Sequence, residues 1–293
     1  MQARPLFIHA LTPVHTGTGQ SADVIDLPIS REKTTGWPQI PGSSIKGVLK
    51  DWFRPFDDVG GVSLKDAFGP DTQDASSGAS MLTFGDGKIL CLAVRSFFGT
   101  FAWVTCPHII KRYNRDASVG MGSSLSDVAI SNSAEDAPPN CKVAAQSALK
   151  EGQQVYLEDL DFTIEAEDQD SLAGAIAGMV FADQAEWQQE FIRRFCVVSD
   201  DMFAFLSETA TEVTARIAMD EDLKTVRKGG LWYEEAVPAE SIFWSVVAAE
   251  PRNGTEPASL WNFLKSNWPK TIQIGGNASV GRGVVRAVLG GRG

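Results

Sequence analysis

The sequence predicts an α+β fold, most simply a ferredoxin-like βαββαβ core carrying long insertions. Three observations predict it. Apolar, strand-like runs stand near both ends of the chain, interleaved with a small number of helical periods. No internal repeat or low-complexity tract breaks the order. The 293 residues are 43% hydrophobic, with 8 Trp and 16 Phe, enough for one sizeable core.

Each element follows from its own pattern. Residues 4–14 read as a first strand, and a long loop, 15–42, leads to a helix over 43–54. In that helix Ile45, Val48, Leu49, Trp52 and Phe53 share one face, while Lys46, Lys50 and Arg54 recur every four residues on another. Ser43 or Ser44 is suited to cap its start. Lys88 to Arg95 is a second strand. The aromatic run Phe97 to Tyr113 reads as helical with a break at Pro107, its Phe97, Phe98, Phe101 and Trp103 assigned to the core. Residues 114–148 are polar and aperiodic, the signature of a mobile insertion. Val155 to Glu165 alternates as one strand, and 184–196 is an amphipathic helix with Trp187, Phe191, Ile192 and Phe195 on one side. Ile242 to Ala248 and Ile272 to Ile274 are strands flanking a short helix at 259–267, and Val284 to Leu289 closes the set. The expected organisation is one domain over 1–293 with two excursions, about 114–150 and about 205–240.

Composition narrows the function. The four cysteines, Cys91, Cys106, Cys141 and Cys196, are far apart and form no CxxC pair, and three histidines offer no zinc-ligand spacing. Reduced thiols, the lack of a membrane-length apolar run and the lack of a signal-peptide pattern set the expectation of a cytoplasmic protein. A net charge of −11 first argues against nucleic acid. Its distribution reverses that argument. Glu135 to Asp222 carries twenty acids and five bases, so the rest of the chain is net positive at +4. Lys88 to Arg115 and Lys265 to Arg292 each hold five bases and no acid. Such segregation suits a polyanion lying across part of the surface.

Two glycine-punctuated segments fall in the basic portions: Ile40-Pro41-Gly42-Ser43-Ser44-Ile45-Lys46-Gly47 and Ile274 through Gly283. The first opens the helix, where Lys46 sits in the first turn against the helix dipole unless an anion is present, so Ser43, Ser44 and Lys46 are phosphate-contact candidates. The second is a glycine loop whose Gly276, Asn277, Gly281 and Arg282 can approach an anion closely. The Walker pattern is absent, because Lys46 is followed by Gly47. The pair points to a protein that holds phosphates without being a nucleotidase.

The segments His15-Thr16-Gly17-Thr18-Gly19, Ile25-Asp26-Leu27-Pro28-Ile29 and Ile40 through Gly47, taken together, resemble the N-terminal signature of the RAMP superfamily of CRISPR proteins. Val94-Arg95-Ser96, Gly99 through Pro107, Leu231-Trp232-Tyr233-Glu234-Glu235 and Gly275 through Gly283 narrow the resemblance to the backbone subunits of the type III-B (Cmr) effector complex. The matching blocks run in order from residue 9 to 288, and 114–150 matches nothing.

The resemblance implies an RRM-like core that binds crRNA, stacks head-to-tail with copies of itself and other Cmr subunits, and cleaves the paired target RNA at regular intervals. It implies no membrane partner. Base pairing would read the sequence and the protein the backbone. The family's cleavage aspartate falls on Asp26, which a Pro-flanked loop presents stiffly; Asp23 is the local competitor. Asp26 would act as a base or as the ligand of a divalent ion, Mg or Mn. His15 would serve as general acid or phosphate contact, or simply end the first strand. Glu234 or Glu235 would assist from a thumb-like projection at about 205–240. The alternatives are a catalytically silent RAMP scaffold that binds guide RNA only, and a stand-alone RAMP endonuclease that processes precursor RNA.

Overall fold

The computed structural model describes residues 1–19, 24–70, 79–120, 122–134, 136–220, 225–252 and 254–290. The chain opens with β1 (Gln2–Ala10), β2 (Gln39–Ile40), α1 (Gly42–Phe53) and α2 (Leu64–Phe68). It continues through β3 (Leu82–Phe84), β4 (Gly87–Arg95), β5 (Phe101–Thr105) and α3 (Pro107–Ala117). Next come β6 (Asn140–Val143), β7 (Lys150–Glu151), β8 (Gln154–Leu157), β9 (Leu160–Glu167), α4 (Asp170–Val180) and α5 (Ala185–Arg194). After them lie β10 (Phe195–Val198), α6 (Asp200–Thr209), β11 (Glu212–Met219) and β12 (Val226–Ala236). β13 (Ile242–Ala249), α7 (Pro257–Asn267), β14 (Thr271–Gln273) and β15 (Val284–Leu289) end the molecule.

Four strands make the centre, antiparallel in the order β15-β1-β13-β4. β1 is paired along both edges, Leu6 lying between Ser245 and Leu289. Both faces of this block are covered, so Leu6, Phe7, Ile8, Phe243 and Trp244 are all buried and the strands read as continuous apolar runs. On one side α1, α2 and α7 meet in an aromatic cluster: Phe53 stacks on Phe68 at 5.6 Å and packs against Phe263 at 6.1 Å. On the other, Phe181 and Phe191 of the α4–α5 region pack with Trp103 of β5. Through β5, parallel to β10, the sheet extends outward to β6, β9, β8 and β7. β11 and β12 form a separate two-stranded hairpin. Among the described residues no helix is long and apolar enough to cross a membrane.

Several expectations are corrected. The segment Phe97 to Tyr113 is not a broken helix: a turn at Gly99 and Thr100, both at positive φ, returns the chain as β5 beside β4. Pro107 then starts α3, because a proline at the first helical position lacks only an N–H that would be unpaired anyway. Phe97 is 82% exposed, so it does not belong to the core, whereas Trp103 is fully buried. Residues 114–148 are not one aperiodic stretch; they finish α3 and hold β6, which pairs with β9 and β10. Val155 to Glu165 is a tight hairpin, with Leu157 facing Leu160 across Glu158 at φ 50. Helix α6 occupies the first part of the 205–240 excursion, burying Phe203 and Leu206, so the hairpin itself begins at Glu212.

Candidate functional site

The loop after β1 and the base of the hairpin are zipped together. Leu27 N–H donates to the Tyr233 carbonyl at 3.0 Å, and Glu235 N–H donates to the Leu27 carbonyl at 3.0 Å. The loop therefore runs as a short parallel bridge along β12. Within it Asp26 is half-buried, and its Oδ2 accepts from Tyr233 N–H at 2.7 Å. No other described residue donates to Asp26, so Oδ1 is the oxygen with capacity to spare. Asp23, its competitor, lies outside the described residues.

His15 is buried at 8% exposure, and its Nδ1 lies 2.6 Å from the Glu235 carbonyl. A carbonyl only accepts, so Nδ1 carries the hydrogen and Nε2 is left as the nitrogen for proton exchange. A side chain at Gly17 would come within 2.6 Å of that Nε2, and one at Gly275 would collide with the His15 carbonyl. Gly275, at positive φ against backbone, needs glycine, whereas a side chain at Gly17 would press on the His15 ring. Gly276 N–H donates to that same carbonyl at 2.9 Å, which docks the glycine loop against His15.

The two glutamates of β12 are strand residues, each 3% exposed, and not a solvated loop pair. Glu234 Oε2 accepts from Arg216 Nε at 3.2 Å and its Oε1 is bonded by Asn277 Nδ2. Glu235 Oε1 accepts from Arg31 Nη2 at 2.5 Å and Thr211 Oγ1 at 2.8 Å, and Oε2 from Ile29 N–H at 3.0 Å. Both oxygens of each carboxylate are thus paired within the protein. Arg282 Nη2 donates to Thr214 Oγ1 at 3.3 Å, and its Nη1 is buried without a partner among the described residues. Burial raises the neighbouring Glu212 carboxyl, against the pull of the Arg282 charge.

Asp26, His15, Glu234, Gly276, Asn277 and Arg282, remote in sequence, thus fall in one cluster. Three amides of the glycine loop are already paired inside the protein. Gly276, Gly281 and Arg282 spend their amides on the carbonyls of His15, Ala278 and Asn277, which leaves the Arg282 guanidinium as the loop's cationic group.

Ser43, Ser44 and Lys46 form a second group, at the start of α1. Neither serine caps the helix; Pro41 stands at the cap, and Gly42 N–H donates to Asp86 Oδ1 at 2.7 Å. A protein carboxylate thus already faces this helix N-terminus. Ser43 is exposed, and Lys46 Nζ lies 3.5 Å from Ser80 Oγ. Lys50 is spoken for by the Gly69 carbonyl at 2.8 Å. Sequence reasoning missed Arg31 and Thr211 altogether; a lone arginine and threonine carry no local signal.

Among the described residues no three His, Cys, Asp or Glu side chains gather as a preformed metal site. The four cysteines are free and buried, and burial pushes the Cys91 and Cys106 thiols up.

A profile of the RAMP superfamily matches residues 7–286. The chain is 33% identical over 291 residues to the CRISPR system Cmr endoribonuclease Cmr4 of Pyrococcus furiosus, covering 99% of this chain and 96% of that one. It is 24% identical to the CRISPR system CMR subunit Cmr4 of Saccharolobus solfataricus, covering 96% and 94%. Among solved structures, oligomeric Cmr4 from Pyrococcus furiosus superposes with a TM-score of 0.73 at 27% identity, over 99% and 98% of the two chains. A type III-B Cmr-beta complex bound to cognate target RNA has a similar fold, with a TM-score of 0.74 at 23% identity over 99% and 97%.

Proposed function

The chain belongs to the RAMP superfamily, and from that premise we propose that it is a backbone subunit of a type III-B CRISPR effector. It binds crRNA, stacks head-to-tail with its own copies beside other Cmr subunits in the cytoplasm, and cleaves the target RNA paired to the guide. Full-length identity of 33% to a named endoribonuclease supports this reading. The observation that carries it within this chain is Asp26: of the three carboxylates gathered at the hairpin base, it alone keeps an oxygen unspent among the described residues.

In this reading β1, α1, β4, β13, α7 and β15 form the ferredoxin-like, RRM-like core of a single domain, and β11–β12 is the thumb. The strand order β15-β1-β13-β4 supports it. Asp26 Oδ1 takes the proton of a target ribose 2′-OH, whose oxygen attacks the adjacent phosphorus. The bond to the 5′-oxygen breaks, leaving a 2′,3′-cyclic phosphate and a 5′-OH. His15, carrying hydrogens on both ring nitrogens, gives its Nε2 proton to the departing 5′-oxygen and keeps its Nδ1 hydrogen on the Glu235 carbonyl. Arg282 and Lys46, with Ser43 and Ser44, hold backbone phosphates.

A divalent ion, Mg or Mn, fits this cluster only sparingly, because among the described residues Asp26 is the single carboxylate there with an oxygen to offer. Phosphate oxygens and water would complete its shell, and it would neutralise charge on the phosphate.

The test is Asp26→Asn in a complex reconstituted with guide and labelled complementary RNA, scoring bound and cut target separately. Cutting is expected to slow by about 10²-fold or more, the range for a positioned acid–base group, with binding level or slightly tighter. A variant that binds and cuts at the wild-type rate sinks the assignment, and Asp23 or Glu234 is tested next. Chelator arrest of the wild type, reversed by Mg or Mn, reads the ion.

A further inference from the structure

Every polar group of Glu235 is engaged, and each engagement reaches the machinery described above. Its N–H holds the Leu27 carbonyl, one residue beyond Asp26. Its carbonyl takes the His15 Nδ1 hydrogen at 2.6 Å. Its carboxylate binds Ile29 N–H at 3.0 Å and Arg31 Nη2 at 2.5 Å, two anchors on the Asp26 loop. Thr211 Oγ1, from the foot of the hairpin, closes the set at 2.8 Å. Arg31 is held in turn by the carbonyls of Gly36 at 2.8 Å and Ser207 at 3.0 Å.

We infer that Glu235 is the positioning residue of the cleavage site: it fixes Asp26 and His15 relative to each other by clamping both to β12, without touching the RNA itself. The inference rests on the proposed cleavage reading. The physical argument is one of register. Among the described residues the Asp26 loop has only two backbone bonds to β12, and a two-bond bridge alone opens readily. A buried carboxylate shared by a guanidinium, an amide and a hydroxyl is a charge-assisted clamp of about twice the strength of neutral bonds. Glutamine at this position keeps the volume but brings an NH₂ that cannot accept, so at least one of the three donors loses its partner.

The test compares Glu235→Gln with wild type in the complex assembled on guide RNA, with labelled complementary RNA as target. Single-turnover cutting is expected to slow by about 10²-fold, the cost of an ångström-scale misplacement, while the target Kd stays unchanged. Amide exchange at Leu27 and Ile29 is expected to speed up in the same sample. Cutting at the wild-type rate overturns the inference. Loss of target binding together with cutting also overturns it, since Glu235 would then support the fold at large. If Glu235→Gln does not assemble, Arg31→Gln carries the test: it leaves the carboxylate with Ile29 and Thr211, and the same slowing with the same Kd is expected. Wild-type cutting by Arg31→Gln overturns the inference as well. A wild-type complex that cuts nothing defeats the cleavage reading instead, and the exchange of the Ile29 amide then decides the clamp by itself.

Discussion

The central block β15-β1-β13-β4 and the β11–β12 hairpin are both antiparallel, yet they are built on opposite principles. In the block, apolar side chains point inward from both faces, and Phe7, Phe243 and Trp244 see almost no solvent. In the hairpin the alternation is kept but inverted. Val213, Ile217, Leu231 and Tyr233 face outward at 50%, 53%, 53% and 42% exposure, while Thr214, Arg216 and Glu234 turn toward the glycine loop. Apolar burial holds the first region. Polar ties at the base hold the second, through Glu234 to Arg216 and Asn277 and through Glu235 to Arg31 and Thr211. The difference teaches that strand periodicity sets which residues share a face, and that the neighbours present decide which face is inside.

The comparison breaks most forcefully at Trp244. Its truncation to Ala is expected to cost about 3–5 kcal/mol in denaturant unfolding, as for other fully buried large aromatics. A smaller loss would mean that the block is less tightly packed than its burial implies.

Acid probes the same region through Asp116, which is buried against it. Asp116 accepts from Lys88 at 2.6 Å, from Arg115 at 3.0 Å and from Trp244 Nε1 at 3.2 Å. Burial by itself would raise this carboxyl, but these bonds and the Lys88 charge hold it below its ordinary 3.8. A depressed carboxyl contributes stability that is present above the unfolded value and lost as pH falls through the folded one. Unfolding free energy should therefore decline below about pH 4, and Asp116→Asn should flatten that limb while lowering stability at pH 7 by about 1–3 kcal/mol. An unchanged acid limb in the variant would assign the decline elsewhere, with Glu32 next: burial raises it, but its Arg112 pair lowers it overall.

The glycine loop and the α1 start are sharpened by salt. Lys46→Ala and Arg282→Ala should each weaken guide binding for every sequence tested and reduce the salt slope by about 1. A change of sequence preference at constant slope would speak against phosphate contact. The smallest effect is expected on the outer hairpin face, where Ile217→Ala should shift stability of the isolated chain by no more than about 0.5 kcal/mol. A core-sized loss there would show that the face is covered.

Much of the fold is written locally. The period of Ile45, Val48, Leu49 and Phe53 marks α1 to within a residue, and the runs at β4, β13 and β15 are visible as strands. Helix α4 is not visible, because Ala173, Gly174, Ala177 and Gly178 blur its apolar stripe with small residues that let it lie close on β1. β5 reads as helix in isolation because its strand character comes from β4 and β10, which flank it from distant parts of the chain.

The site divides along the same line. Asp26 stands out in the sequence because a proline-flanked loop and a family resemblance mark it, and His15 and the glycine loop are marked in the same way. Local sequence determines these features, since loop stiffness, helical period and glycine placement act over a few residues. Which carboxylate keeps a free oxygen is settled only by the tertiary structure. Asp26, Glu234 and Glu235 are alike in chemistry, and their difference lies in partners up to 207 residues away: Tyr233 for the first, Arg216 and Asn277 for the second, Arg31 and Thr211 for the third. A buried charge takes its state from whatever the fold brings within hydrogen-bond reach, and that closure over long loops has no signature in the residues beside it.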